Sequence, residues 1–201
     1  MSQPIDFYFD FSSPYGYFAS TRINGLAERY GRTVKWHPLL LGVIFKTTGG
    51  APLPAVPLKG DYAFRDFERT ARFHGIPYHR PEPFPLPTQL AARAMLWVEQ
   101  TIGEGKAVEF AQAVYRAYFV DGRKIIDPDV IGPLAAAIGI DAAALIDGAN
   151  SADIKERLKA EIETAVARGV FGSPFVIADG EPFWGFDRFD QLEAFLKNGS
   201  I

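Results

Sequence analysis

Strand patterns in this chain occur only near its two ends, and helical patterns fill the long stretch between them. Apolar and polar side chains alternate over residues 5–11, which predicts a strand, and residues 33–38 predict a second one. Between them a helix is predicted from Pro14 to about Tyr30, with Gly31 as its end. The chain therefore opens with a β-α-β unit.

The other end of the chain predicts a β-β-α unit. Residues 174–178 and 181–185 flank the dipeptide Asp179-Gly180, which favours a tight hairpin turn. A last helix is predicted over about 188–197, because apolar side chains recur there at helical spacing. The two ends together predict one small α/β sheet domain.

The middle of the chain predicts helices only. The predicted segments are about 61–74, 88–101, 105–119 and 127–139, a short helix capped by Asp141, and a long helix that ends at Gly169. This order indicates a helical insertion into the sheet domain rather than two domains in tandem. Residues 47–60 are dense in Gly and Pro and predict a loop of a length that is often functional.

The composition excludes several classes of function. The net charge is −3 with no basic cluster, which predicts no nucleic-acid partner. No run of 18 apolar residues occurs and the start lacks a signal-peptide pattern, so we expect no membrane association and a cytoplasmic protein. His37, His74 and His79 lack the spacing of a metal site, so no metal is expected.

The segment Ser13-Pro14-Tyr15-Gly16 stands where the first strand gives way to the first helix. Many redox proteins carry Cys-Pro-x-Cys at such a junction, but this chain has no cysteine and therefore no protein thiol or disulfide. One interpretation is structural, with Ser13 as helix N-cap and Pro14 as first helical residue. The other is that the helix N-terminus stabilises a thiolate that comes from elsewhere.

Two further segments stand beside strands of the predicted sheet. The first is GVFGSPF, in which Ser173-Pro174 precedes a strand and forms either an ordinary loop or a backbone site for an extended peptide. The second is FWGFDRF, where a strand meets the last helix. There Asp187 either caps that helix, with Arg188 as a solvated charge, or binds a ligand.

The ordered combination of these three segments resembles the DsbA-like branch of the thioredoxin superfamily. Within that branch it is similar to the 2-hydroxychromene-2-carboxylate isomerases and the kappa-class glutathione transferases. The resemblance implies an α/β class with a thioredoxin-like fold and a helical insertion domain, DsbA-like over residues 1–201. It places the thioredoxin-like part at about 1–45 and 168–201 and the all-helical insertion at about 60–167.

The resemblance also implies that the missing sulfur belongs to glutathione, bound as a cofactor. Ser13 would donate a hydrogen bond to the glutathione sulfur, and Gly16 stands where the second redox cysteine would be. The tripeptide would pair with the backbone of Ser173, ahead of a cis Pro174. The remaining residues that the resemblance assigns to glutathione are Pro14, Tyr15, Lys59, Phe186, Asp187 and Arg188.

Individual roles follow from the same resemblance. Asp187 would take the γ-glutamyl amino group, and Lys59 would reach the carboxylate end. Family members often carry Asn where this chain has Gly50, which removes one contact at the glycine end of glutathione. Lys46, Tyr62 and Trp36 are candidates for the pocket of a small aromatic substrate, although Trp36 also suits the core.

The function implied is an enzyme, a glutathione-dependent isomerase of aromatic catabolism such as naphthalene degradation, acting as a homodimer. It would interconvert 2-hydroxychromene-2-carboxylate and trans-o-hydroxybenzylidenepyruvate. One alternative is a kappa-class-like transferase that conjugates small electrophiles. Another is a non-catalytic module that binds glutathione or peptides.

Overall fold

The computed structural model describes residues 3–201, which form a mixed α/β fold around a four-stranded sheet. Strand β1 (Ile5–Phe9) pairs in parallel with β2 (Val34–Pro38) on one side. On its other side β1 pairs antiparallel with β3 (Phe175–Ala178), which pairs antiparallel with β4 (Glu181–Trp184). The spatial order β2-β1-β3-β4 confirms the α/β class and brings both ends of the chain into one sheet.

Helices surround the sheet and fill the middle of the chain. Their bounds are α1 Pro14–Ser20, α2 Ile23–Arg29, α3 Leu41–Thr48, α4 Lys59–His74, α5 Gln89–Thr101, α6 Glu104–Phe119, α7 Pro128–Ala137, α8 Ala142–Ala149, α9 Ala152–Ala167 and α10 Phe189–Asn198. Short 3-10 turns occupy Leu53–Ala55 and Phe186–Arg188. The helices α4 to α9 fall within residues 59–167, and the division into two sequence-defined parts stays a prediction.

The helix predicted from Pro14 to about Tyr30 is wrong in one respect, because the structure divides it into α1 and α2. The hydroxyl of Ser20 donates to the carbonyl of Tyr17 at 2.6 Å, and that of Thr21 to the carbonyl of Phe18 at 2.7 Å. Such side-chain bonds compete with the backbone ladder of a helix. These two hydroxyl bonds therefore lie at the break between α1 and α2, which the spacing of apolar residues does not predict.

Helix α3 is a second difference from the predicted elements, and its first residue is hydrogen-bonded to a side chain far away in the sequence. No helix was expected over residues 41–48, and its last residues fall in the predicted loop. The backbone N–H of Leu41 donates to a carboxylate oxygen of Asp10 at 2.6 Å. Because the group that satisfies this helix start lies 31 residues away, local capping patterns do not reveal it.

Both faces of β1 are buried. Phe7 and Phe9 pack in the main core with Trp36, whereas Tyr8 packs in a second cluster beneath α9 with Leu158. Successive side chains of β1 therefore enter two different apolar clusters, and Tyr8 is buried, with only 1% of its surface exposed. Burying an aromatic side chain of this size contributes about 1.5–3 kcal/mol to the free energy of folding, so β1 helps to stabilise the packing on both of its faces.

A buried histidine joins the second face of the sheet to α9. His37 lies within hydrogen-bond distance of Asp6 (2.9 Å) and of Glu161 (3.2 Å), and its ring stacks on Tyr8. Burial opposes the charge on the ring, but the hydrogen bonds and charges of the two carboxylates outweigh it and raise the pKa of His37. The hydrogen bond from His37, together with its charge, lowers the pKa of Glu161 against the effect of burial.

We expect this cluster to make stability depend on pH. Because the pKa of His37 lies above its ordinary value of 6.5, the charged ring stabilises the fold fully below pH 6.5, and that contribution is lost as the pH rises through the raised pKa. The contribution of Glu161 is present above its ordinary value of 4.5 and is lost as the pH falls through the lowered pKa. The cluster therefore contributes most between these limits.

The measurement is the thermal midpoint of the protein and of a His37→Gln variant across this pH range. The variant should unfold several degrees lower between pH 4.5 and 6.5, since about 1 kcal/mol corresponds to ~2–4 °C in a chain of this size, and the gap should narrow in alkaline solution. The exposed His79 offers the matched control, His79→Gln. A gap for His37→Gln that is independent of pH would contradict the expectation.

Candidate active site

A large cavity opens where the carboxyl end of β1 runs into α1. Its volume is about 1220 Å³, and its walls come from α3, α4, the turn before α5 and the segments on either side of β3 and β4. Among the residues predicted to bind glutathione or substrate, the cavity is lined by Ser13, Pro14, Tyr15, Lys46, Tyr62, Ser173, Pro174, Phe186, Asp187 and Arg188. Small-molecule sites commonly measure about 300–1,000 Å³, and this cavity is larger than that range.

Ser13 is the N-cap of α1, as the structural interpretation predicted, and it also lines the cavity. Its hydroxyl oxygen accepts the N–H of Gly16 at 3.0 Å as the N-cap of α1, and Pro14 is the first helical residue. The same hydroxyl donates to the carbonyl oxygen of Ser173 at 2.9 Å. Ser13 is therefore a helix cap that lies in the cavity wall, with 6% of its surface exposed.

The segment ahead of β3 faces Ser13 across this corner. The Ser173–Pro174 peptide bond is cis, and the carbonyl of Pro174 accepts the N–H of Gly185 at 3.0 Å. The hydroxyl oxygen of Ser173 accepts the backbone N–H of Asp10 at 2.9 Å. Ser173 is thus fixed to the end of β1 by its side chain, and its carbonyl is fixed to Ser13.

Gly16 lies against side chains that leave no space for a side chain of its own. A Cβ at this position would lie 2.8 Å from Ser173 Oγ, 2.8 Å from the hydroxyl oxygen of Tyr115 and 3.1 Å from Ser13 Cβ. The Tyr115 hydroxyl is held in place because it donates to the carbonyl of Asp10 at 3.0 Å. The position that resembles the second redox cysteine is therefore closed to any larger residue.

Asp10 is a site residue that the sequence reasoning missed. Its carboxylate accepts the N–H and the hydroxyl of Ser12, both at 2.8 Å, and the hydroxyl of Thr88 at 2.9 Å, in addition to the N–H of Leu41. Burial raises the pKa of the Asp10 carboxyl, and the hydrogen bonds that it accepts oppose that rise. In the sequence Asp10 appears only as one of the polar residues that alternate with the apolar residues of the first predicted strand.

The Asp10 carboxylate also binds the hydroxyl of Thr88, which the sequence predicts to cap α5. The sequence predicts Thr88 as a plausible N-cap of the helix that follows, and α5 does begin at Gln89. Its side chain makes no capping hydrogen bond, since the hydroxyl donates to Asp10 instead. Asp10 therefore ties the turn before α1 to the beginnings of α3 and α5, all three of which border the cavity.

Another part of the cavity wall is formed by the turn Phe186–Arg188. Phe186 is 5% exposed and packs against Phe18 and His74, whereas Asp187 and Arg188 are exposed and form an ion pair at 3.0 Å. Asp187 makes no capping hydrogen bond to α10, so its interpretation as that helix's cap is wrong. The carboxylate is available to a ligand in the cavity.

A network of side chains on α4 borders the corner opposite Ser173. The Tyr15 hydroxyl donates to the carboxylate of Asp66, which also pairs with Arg69, and Arg69 donates to the Tyr62 hydroxyl at 3.0 Å. Burial and the neighbouring carboxylate raise the pKa of Tyr15. These contacts fix the Tyr15 and Tyr62 rings as walls of the cavity.

Two of the predicted site residues lie elsewhere. Trp36 is 4% exposed in the core, where its indole N–H donates to Asn24 at 3.0 Å and its ring packs on Phe7 and Phe9. Its assignment to the substrate pocket is therefore wrong, because the pleat of β2 directs it into the aromatic core. Lys59 is the exposed first residue of α4 and does not line the cavity.

Gly50 lies against Phe45, a residue of α3 that lines the cavity. A Cβ on Gly50 would lie 2.8 Å from the Phe45 ring, so an asparagine at this position would require the ring to move. Phe45 therefore occupies the space that a side chain at position 50 would take.

Residues 3–201 contain neither a metal-binding cluster of side chains nor a membrane-spanning helix. In this part of the chain no three histidine or acidic side chains are arranged so that they could hold a metal ion. No helix within the same residues has both the length and the apolar character needed to cross a bilayer.

Comparisons with known proteins agree on one family. Residues 4–197 match the model of the DSBA-like thioredoxin domain. A 2-hydroxychromene-2-carboxylate isomerase of Sphingobium xenophagum is 31% identical over 98% of this chain and 99% of its own length, and a kappa glutathione transferase of Caenorhabditis elegans is 24% identical over 96% and 91%. A solved 2-hydroxychromene-2-carboxylate isomerase superposes with a TM-score of 0.88 at 27% identity, over 97% and 95%. The chain therefore belongs to the DSBA-like thioredoxin domain family and, within it, to the family of the 2-hydroxychromene-2-carboxylate isomerases.

Proposed function

We propose that this protein is a glutathione-dependent isomerase that interconverts 2-hydroxychromene-2-carboxylate and trans-o-hydroxybenzylidenepyruvate. The observation that carries the proposal is the meeting of the Ser13 hydroxyl and the Ser173 backbone in the wall of a cavity that has no protein thiol. A hydroxyl that can donate to sulfur, beside a backbone that can pair with a peptide, fits glutathione. Full-length similarity to isomerases of this name supports the same conclusion.

When bound, glutathione supplies a thiolate that is both a nucleophile and a leaving group, which opens the substrate double bond to rotation and closes it again. Ser13 holds the sulfur ionised by donating its hydroxyl proton as a hydrogen bond. Ser173 holds the peptide through its backbone, and Asp187 binds the γ-glutamyl amino group. The aromatic walls of the cavity exclude water from the reacting atoms.

We assign the substrate carboxylate to Lys46. It lies in the last turn of α3 and provides a cation in the lining of the cavity. A cation near the carboxylate also stabilises negative charge that develops on the opened substrate. The family resemblance gives Lys59 a different carboxylate, that of glutathione, and among these two lysines Lys46 is the one that lines the cavity.

Replacing Lys46 with alanine should raise the KM for the chromene acid about tenfold, since a hydrogen bond to a charged group contributes ~1.5–3 kcal/mol. Glutathione affinity should change little. Steady-state kinetics with each ligand varied in turn, compared with a Lys155→Ala control on the exposed face of α9, separates the two effects. A loss confined to glutathione affinity would contradict this assignment.

The proposed activity is tested by mixing the protein with 2-hydroxychromene-2-carboxylate and following the absorbance change with and without glutathione. We expect isomerisation that requires glutathione and leaves its concentration unchanged. Equal rates without glutathione would overturn the proposal. A stable glutathione adduct of the substrate or of an aryl halide, detected by mass spectrometry, would instead support the transferase alternative.

We also propose, by the resemblance, that the protein acts in the cytoplasm as a homodimer in the breakdown of aromatic compounds such as naphthalene. Light scattering coupled to size-exclusion chromatography tests the dimer directly. An elution at the mass of a single 22.2 kDa chain would contradict it.

A further inference from the structure

The Ser13 hydroxyl already uses its only proton within the protein. A serine hydroxyl has one O–H to donate and two lone pairs to accept with. Here the O–H is donated to the carbonyl of Ser173 at 2.9 Å, and one lone pair accepts the N–H of Gly16 at 3.0 Å. In this arrangement the hydroxyl has nothing left to donate to a sulfur in the cavity.

We infer that the Ser173 carbonyl retains the Ser13 proton until a ligand supplies an N–H of its own to that carbonyl. This inference rests on the proposed function and adds a condition to it. The ligand class that meets the condition is a thiol with an amide N–H on the carbon next to the thiol-bearing one, as in a cysteinyl residue within a peptide. Simple thiols lack that group.

The Ser13 hydroxyl can donate its proton either to the Ser173 carbonyl or to a thiolate in the cavity. Which bond forms depends on the free-energy cost of leaving the carbonyl without a donor. Turning the O–H toward a thiolate gains a charge-assisted bond, which is stronger than the bond to a neutral carbonyl. Without a replacement donor, the same rotation deprives the carbonyl of the half-buried Ser173 of its protein partner. A ligand N–H removes that penalty, so docking of the peptide backbone and ionisation of the thiol are coupled.

The surrounding contacts restrict the change to a rotation of the hydroxyl. The Gly16 N–H holds the Ser13 oxygen in both arrangements, because it uses a lone pair and not the proton. The Ser173 side chain is held by the N–H of Asp10 at 2.9 Å, so its carbonyl cannot follow the departing proton. Thiols with and without this N–H should therefore differ more in the pKa of the bound thiol than in their affinity for the protein.

The test compares glutathione with its depsipeptide analogue, in which an ester oxygen replaces the N–H of the cysteinyl residue. Calorimetry gives the affinity of each, and the ultraviolet absorbance of the thiolate against pH gives the pKa of each bound thiol. We expect both to bind. We expect the thiolate fraction of the bound analogue at neutral pH to be roughly ten- to a hundredfold below that of bound glutathione.

A Ser13→Ala variant completes the comparison, with circular dichroism as the check on its fold. Without a hydroxyl to release, the two bound thiols should have the same pKa. An analogue that ionises as readily as glutathione in the unmodified protein would overturn the inference, and so would an analogue that does not bind. Absence of glutathione binding itself would instead overturn the proposed function.

Discussion

Replacing Ser13 with alanine should lower the isomerisation rate at neutral pH roughly a hundredfold, because the bound thiol loses the donor that holds it ionised. A free thiol has a pKa of about 8.5, so only a few per cent of it is ionised at pH 7. The loss should shrink as the pH is raised through that value, since the thiolate then forms without help. Rate against pH for the two proteins is the measurement.

The matched control for this variant is Ser151→Ala. Ser151 is the N-cap of α9, and its hydroxyl oxygen accepts the N–H of Ile154, far from the cavity. Each alanine should remove about 1 kcal/mol of stability through the lost cap, but only the Ser13 variant should lose activity. A Ser13→Ala enzyme with unchanged rate would restrict Ser13 to its role as a cap.

Replacing Gly16 with alanine should impair both stability and activity. The added Cβ lies 2.8 Å from Ser173 Oγ and from the Tyr115 hydroxyl, and both groups are held by Asp10. Overpacking at such a site costs about 1–3 kcal/mol of folding free energy. Displacing Ser173 also moves the carbonyl that bonds Ser13, so we expect the rate to fall more than tenfold.

Gly25 offers the comparison for Gly16→Ala. It lies in α2, and a Cβ there would meet no atom within 4 Å. Alanine at Gly25 should leave activity unchanged and stabilise the fold by up to about 1 kcal/mol, because glycine is the poorer helix former. Thermal unfolding and steady-state rates of both variants make the test. Equal behaviour of the two would show that the space around Gly16 adapts.

The sequence predicts the ends of this molecule well, because their signals are local. The hairpin at Asp179-Gly180 forms, and both of its residues have positive φ, as a two-residue turn of this kind needs. The alternation over the first strand and the helical spacing of the last helix likewise depend on neighbours in sequence. The corner at Ser13 was found for the same reason, since a cap and a first-turn proline are adjacent.

What the sequence does not predict depends on contacts between distant residues. Asp10 reads as the polar side of a strand, yet it is 3% exposed and receives donors from residues 12, 41 and 88. Helix α3 begins on that carboxylate, so it went unpredicted. Trp36 was open to two interpretations because periodicity alone does not distinguish a core face from a cavity wall.

The crowding around Gly16 bears on how this lineage can change. A chain that carries one cysteine at position 13 would still have no place for a second at 16, because Tyr115 and Ser173 occupy the volume. A pair of cysteines at positions 13 and 16 would therefore also need a smaller residue or a displaced side chain at position 115 or 173. The packing at Gly16 therefore opposes a disulfide at this corner independently of the absence of cysteine from the chain.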